Sequence, residues 1–141
     1  MLMQCKTSDD VSQKMRAIAN NYIEFINRLS SGEQFDQHKA ASSFLNPNCK
    51  KIFNGALITS NSTQFVNDLL QLYNTYGSWK ITPADILIST ESCTVIVRLF
   101  ADIPSLGHFT EILLMRLDQE LKILEINIVF NKVEDGYRFG E

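Results

Sequence analysis

VIVRLFADIPSLGHFTEILLMRL, residues 95–117, reads as two apolar strands joined by a short connection. Branched and aromatic side chains fill both runs, the composition of strands that pack on both faces. Each run carries one charge in its middle, Arg98 in the first and Glu111 in the second. With DIPSLG (102–107) as the connection, facing residues have numbers that sum to 209. That register pairs Phe100 with Phe109, Arg98 with Glu111 and Val97 with Ile112. Glu111 then shares its face with Phe109, Leu113 and Met115, because side chains alternate along a strand.

Working outward, the C-terminal half is strand-like throughout: 79–89, 92–101, 108–117 and 122–131. Short connections make these an antiparallel meander. The N-terminal half is helical. Val11, Met15, Ile18, Tyr22, Phe25 and Leu29 recur at spacings of three and four after the cap-like Ser8-Asp9-Asp10, which predicts a long amphipathic helix ending near Ser31-Gly32. A shorter helix is expected over 34–44, stopped by Asn46-Pro47-Asn48. KIFNGALITS (51–60) is strand-like with a turn at Asn54-Gly55. SNSTQFVNDLLQLYNTYG (60–77) predicts a third helix, capped by Ser62 or Thr63 and closed by Gly77.

Helices first and a meander last give an α+β domain. The last three strands are apolar on both faces: Val95 and Val97 against Ile96 and Phe100, Leu113 and Met115 against Ile112 and Leu114. One face is expected to pack on the helices. The other needs a cover, most economically a second copy, so a homodimer through the outer sheet face is expected.

The 141 residues, 45% hydrophobic and 21% charged, suit one domain with a core. We expect an N-terminal tail at 1–8, one domain over 9–132 and a polar C-terminal tail at 133–141. A net charge of −3 without a basic cluster larger than Lys50-Lys51 argues against nucleic acid or an anionic membrane as partner. There is no apolar run of about 18 residues and no charged start followed by an apolar stretch. The three cysteines, Cys5, Cys49 and Cys93, lack CxxC spacing. They read as free thiols in a cytoplasmic protein, with no metal site and no cofactor expected.

ILLMRLDQELKILEINIV (112–129) then carries a resemblance. An apolar run, Met115-Arg116-Leu117, an acidic turn, Asp118-Gln119-Glu120, and Lys122 through Glu125 resemble the last two strands of the nuclear transport factor 2-like superfamily. That superfamily includes ketosteroid isomerase, scytalone dehydratase and the SnoaL-like cyclases. The likeness of layout covers residues 9–132. It implies three N-terminal helices on a strongly curved, mostly antiparallel sheet that forms a conical pocket, the cystatin-like cone. In cyclase-like members an acidic residue lies two positions before the Met115 position, and a histidine follows the glutamate of the last strand. Here those positions hold Leu113 and Ile126, so that acid–base set does not carry over residue by residue.

The resemblance puts Leu113 on the pocket side, and Glu111 with it. The Arg98–Glu111 pair then reads either as a cross-strand ion pair or as a ligand anchor, Arg98 gripping a polar group with Glu111 orienting it. Ligand-binding candidates are Arg98, Glu111, Tyr22, Leu113 and Met115. No catalytic residue is fixed; Glu111 and His108 are the candidates. The expected function is a pocket that binds a small apolar molecule with one polar end. The alternatives are an isomerase, dehydratase or cyclase acting on a small apolar substrate, or a protein-interaction module.

Overall fold

The computed structural model describes residues 9–133. The order is α1 (Asp9–Ser30), α2 (Gln37–Ser42), β1 (Leu45–Phe53), β2 (Ala56–Thr59), α3 (Ser62–Tyr76), β3 (Lys80–Ser89), β4 (Thr94–Ile103), β5 (Gly107–Leu117) and β6 (Ile123–Lys132). The strands form one sheet in the order β2-β1-β6-β5-β4-β3. Every pairing is antiparallel except β1 with β6. The third helix follows the β1–β2 hairpin, in the order expected from the strand-like 51–60 and its Asn54-Gly55 turn. Asn46-Pro47-Asn48, expected to stop the second helix, lies inside β1, and α2 ends earlier, at Ser42. Both expected tails, apart from Val133, fall outside the described residues.

Local signals explain most boundaries. Asp9 and Asp10 sit in the first turn of α1 and Arg28 in its last, which suits the helix dipole. Beyond α1, Gly32 takes φ +83, and its amide donates to Leu29 while that of Glu33 donates to Arg28. The positive φ favours glycine there, and a Cβ would also lie 2.5 Å from Tyr73 Oη, so that side chain would have to shift. The cap of α3 is Asn61, not Ser62 or Thr63. Asn61 Oδ1 accepts from the Gln64 amide at 2.9 Å, and Gln64 Oε1 accepts from the Ser60 amide at 2.8 Å. Together the two side chains satisfy two backbone amides at the start of α3.

The sheet's inner face and the helices share one core. Val95, Val97, Leu99 and Ala101 of β4, Leu113, Met115 and Leu117 of β5, and Ile123 and Ile126 of β6 are all at most 2% exposed. Against them pack Met15, Tyr22, Phe25 and Leu29 of α1 and Phe65 and Leu69 of α3, at the three-and-four spacing of an apolar stripe. Tyr22 sits edge-on to Phe44 and Phe65, each 6.3 Å between ring centres. The Asn27 side chain ties α1 to β3. Its Nδ2 donates to the Ile81 carbonyl at 2.9 Å, and its Oδ1 accepts from the Ile81 amide at 2.8 Å.

The β4–β5 register is Ile103 with Gly107, Ala101 with Phe109, Leu99 with Glu111 and Arg98 with Ile112, a sum of 210. Only Pro104, Ser105 and Leu106 form the turn. The Leu106 amide donates to the Ile103 carbonyl at 2.8 Å, and Gly107 takes φ +124. A three-residue turn in place of a six-residue one shifts the pairing by one. One position moves a side chain to the opposite face.

The outer face carries Leu87 (62% exposed), Ile112 (46%) and Val129 (50%). Ile112 and Val129 are direct cross-strand partners. Arg116 and Glu125 also pair there, Nε to Oε2 at 3.4 Å. β3 is an edge strand. Its pairing to β4 is irregular between Pro83 and Asp85, and an edge strand is where a proline is tolerated.

Cys49 is a buried free thiol. Cys93 is disulfide-bonded, so the expectation of free thiols fails at Cys93. No described helix is long and apolar enough to cross a membrane.

Candidate functional site

A cavity of about 410 Å³ lies between the inner face of the sheet and helices α1 and α3. Ile26, Leu69, Leu72, Trp79, Ile81, Phe109 and Phe130 are among its apolar walls. Phe109 and Phe130 stack at 4.5 Å between ring centres, and Phe53 meets Phe130 at 5.4 Å. Ile58, Tyr76 and Leu106 also line it and are 40–45% exposed, which marks the open side. Deeper than the open side, Tyr22, Lys51, Asp68 and Glu111 bring polar groups into this apolar space.

Glu111 is on β5, between Leu99 of β4 and Phe130 of β6. The same alternation that buries Phe109 and Leu113 turns it inward. Among the described residues no hydrogen bond or ion pair reaches its carboxyl. Burial pushes its pKa up to about 7, and the Lys51 ammonium offsets only part of that rise. An apolar pocket that keeps a carboxyl near neutral is how proteins obtain a group able to give and take protons at pH 7.

Lys51 comes from β1, where Cys49, Lys51 and Phe53 alternate inward. It is cross-strand to Ile126 of β6, one of the most buried residues of the core. Its side chain is 4% exposed, and Nζ lies 2.8 Å from Asp68 Oδ2 of α3 and 5.2 Å from the Phe65 ring centre. Pairing with a carboxylate and a ring face is what keeps a cation tolerable at that depth.

Tyr22, from α1, is 3% exposed. Burial, then the Glu111 and Cys49 charges, hold its phenol well above the ordinary range, so it stays a neutral donor. No hydrogen bond reaches its hydroxyl among the described residues. Cys49 is pushed up to about 12 by burial, then by Glu125. The neighbouring lysines therefore do not activate this thiol.

Of the residues singled out from sequence, Glu111 and Tyr22 meet in the cavity. Arg98 does not. It lies on the outer face, where Nε donates to Asp85 Oδ2 at 2.7 Å and Nη2 approaches the same oxygen at 2.5 Å. The pairing of Arg98 with Glu111 is thus corrected, the shorter turn being its cause. Leu113 and Met115 face inward but are fully buried beneath the cavity and do not line it. His108 sits at the sheet margin beside Asp102, which its Nδ1 contacts, and both are exposed. It has no part in the cavity. Sequence reading missed Lys51 and Asp68. Lys50-Lys51 looks like a solvated pair until β1 is extended back to Leu45, when alternation sends Lys50 out and Lys51 in. Among the described residues no cluster of three or more His, Cys, Asp or Glu could hold a metal ion.

Comparison with solved structures gives the fold. The chain is similar to a nuclear transport factor 2-like protein of unknown function from Cytophaga hutchinsonii (15% identity, 83% of this chain and 89% of that one, TM-score 0.63). It is similar to a candidate SnoaL-like polyketide cyclase from a Jannaschia species (15%, 79% and 85%, TM-score 0.58). It is also similar to a candidate isomerase of the SnoaL-like family from Agrobacterium tumefaciens (10%, 84% and 98%, TM-score 0.63). No protein-family model matches the sequence, and no curated protein aligns with it significantly. The chain has the nuclear transport factor 2-like, cystatin-like α+β fold.

Proposed function

We propose that the cavity binds a small, largely apolar molecule and that Glu111 moves a proton on it. The observation that carries this reading is the Glu111 carboxyl itself. It faces an apolar cavity, has no partner among the described residues, and is held up to about 7. A structural carboxyl at that depth would be paired; one poised for proton transfer is left open to its substrate. A cavity of about 410 Å³ is within the roughly 300–1,000 Å³ of small-molecule sites. The isomerase and cyclase descriptions of two structural neighbours belong to those proteins; their chemistry is of the kind this carboxyl could perform.

The test is hydrogen–deuterium exchange at the carbon next to the carbonyl of 2-tetralone, an apolar bicyclic ketone, followed by proton NMR in deuterated buffer. The wild-type chain should accelerate exchange over buffer, and Glu111→Gln should lose at least a hundredfold of that acceleration. Equal exchange by both proteins would sink the reading.

The exposed Leu87, Ile112 and Val129 support a second proposal: two copies associate through their outer sheet faces. Covering these side chains removes apolar area from water at about 25 cal/mol per Å². This leaves the cavity, on the opposite face, open.

A further inference from the structure

At the tip of the β1–β2 hairpin, Asn54 and Gly55 form a two-residue turn between Phe53 and Ala56. Both take positive φ, 46 and 87, as the mirror-image hairpin turn requires. Here β1 turns away while its neighbour β6 runs on to Lys132. The Asn54 side chain takes over as the missing ladder partner. Its Oδ1 accepts from the Phe130 amide at 2.9 Å, and its Nδ2 donates to the Phe130 carbonyl at 3.1 Å. The Asn54 amide itself donates to the Ile128 carbonyl at 2.8 Å. The other side of the turn is bare. Asn54 and Gly55 are exposed, and no atom beyond the chain neighbours lies within 4 Å of where a Cβ on Gly55 would sit. Among the described residues no hydrogen bond reaches the Gly55 amide.

We propose that Asn54 is a site of spontaneous deamidation and that Phe130 gates it. An asparagine followed by glycine carries its own nucleophile, the next backbone nitrogen, which no side chain crowds. The Gly55 nitrogen attacks the Asn54 Cγ, forms a C–N bond and gives up its proton. Nδ2 takes up a proton and leaves as ammonia, which closes a five-membered imide. Water then adds to either imide carbonyl and breaks one of the two ring C–N bonds. One product is aspartate; the other is isoaspartate, whose backbone runs through the former side chain. Water is the one reactant consumed, and nothing is oxidised or reduced.

In the folded chain the nucleophile is free and the electrophile is held. Ring closure needs Cγ to swing towards the Gly55 nitrogen, and both polar atoms on Cγ are committed to Phe130. Reaction therefore waits on release of that pair. Release is coupled to the end of β6, because the Phe130 ring stacks on Phe109 and meets Phe53. The change runs one way. A carboxylate at this position accepts from the Phe130 amide but has no N–H for the Phe130 carbonyl. Isoaspartate adds a backbone atom to the turn that sets the β1–β2 register. Either product leaves the Phe130 carbonyl unanswered, and Phe130 is a wall of the cavity. None of this depends on what the cavity binds. Asn61 and Asn74, by contrast, precede Ser62 and Thr75, whose Cβ atoms crowd the attacking nitrogen.

The experiment follows the full chain by peptide mass spectrometry during incubation in mildly alkaline buffer, folded and in urea. The mass change from amide to acid should appear at Asn54 in both samples, ahead of Asn61 and Asn74. In the folded chain it should be roughly ten- to a hundredfold slower, the factor for releasing two hydrogen bonds. Phe130→Leu, which removes the ring stack, should speed conversion of the folded chain by about threefold or more. If Phe130→Leu does not fold by circular dichroism, Phe109→Leu removes the same stack and carries the same expectation. Asn54→Asp, one of the two products, should lower the thermal unfolding midpoint by a few degrees, and protein aged to full conversion should shift the same way. Equal rates in the folded and unfolded chains overturn the proposal, as does folded-chain conversion at Asn54 no faster than at Asn74. A folded Phe130→Leu that converts at the wild-type rate, or an unshifted midpoint in Asn54→Asp, removes Phe130 as the gate.

Discussion

Glu111 stands directly across from Leu99 in the β4–β5 ladder. Leu99 is fully buried, so the carboxyl opposite it is set among hydrocarbon. The neighbouring position, Arg98 across from Ile112, belongs to the other face of the sheet.

The first prediction concerns acid and stability. Both folded and unfolded chains keep Glu111 protonated well below its ordinary 4.5. Between 4.5 and about 7 the unfolded chain releases the proton and the folded one retains it. Stability from this group therefore falls as pH rises through that window, by roughly 3 kcal/mol in total. Urea melts from pH 4.5 to 8 should show the decline, and Glu111→Gln should flatten it. A wild-type profile that rises over this range with no change in Glu111→Gln would refute the assignment.

Arg98→Met should alter little in the cavity. The Arg98–Asp85 pair is partly exposed, 34% and 53% by side chain, and pairs of that kind contribute up to about 1 kcal/mol. Unfolding free energy should move by no more than that, and 2-tetralone exchange should be unchanged. A tenfold loss of exchange would return the arginine to the site.

Asn27→Ala should cost more than its half-buried position suggests. It removes two hydrogen bonds and leaves the Ile81 amide and carbonyl without their partners. At about 1–3 kcal/mol for each buried group left unpaired, thermal unfolding should show a loss of roughly 2–4 kcal/mol. Because Ile81 lines the cavity, 2-tetralone affinity should weaken as well.

Sedimentation at micromolar concentration should give about twice the 16.1 kDa of one chain. Ile112→Lys, on the outer face, should return it to one copy with the fold intact. A wild type that sediments as a single chain would remove the outer-face dimer.

Maleimide labelling of the denatured, unreduced chain should mark Cys49 and leave Cys93 unmarked. Cys93 is held in a disulfide and Cys49 is free. Disulfides persist in oxidising compartments and are uncommon in the cytoplasm. A label on Cys93 in freshly isolated protein would remove the disulfide.

The meander, the long first helix and the two-sided apolar strands were legible because periods of 2 and 3.6 survive in the raw sequence. Glu111 was legible for the same reason: a lone charge in an apolar run. Its partner was not. Arg98 against Ile112 rather than Glu111 hangs on whether the connection holds three residues or six, and Ile103, which could belong to strand or loop, decides that. Lys51 was hidden because Lys50 beside it supplies the exposed lysine that composition leads one to expect. Asp68 was hidden because its partner is 17 positions away on another element. Long-range pairs of this kind leave no periodic trace.

The irregularity at Pro83 has a consequence for solubility. A sheet grows into a fibre when an outer strand offers an uninterrupted row of donors and acceptors to the next molecule. At one margin of this sheet that row is broken by a residue with no N–H and by a bend before Asp85; at the other, β2 is only four residues long. Both margins of the sheet are therefore poor templates for a further strand.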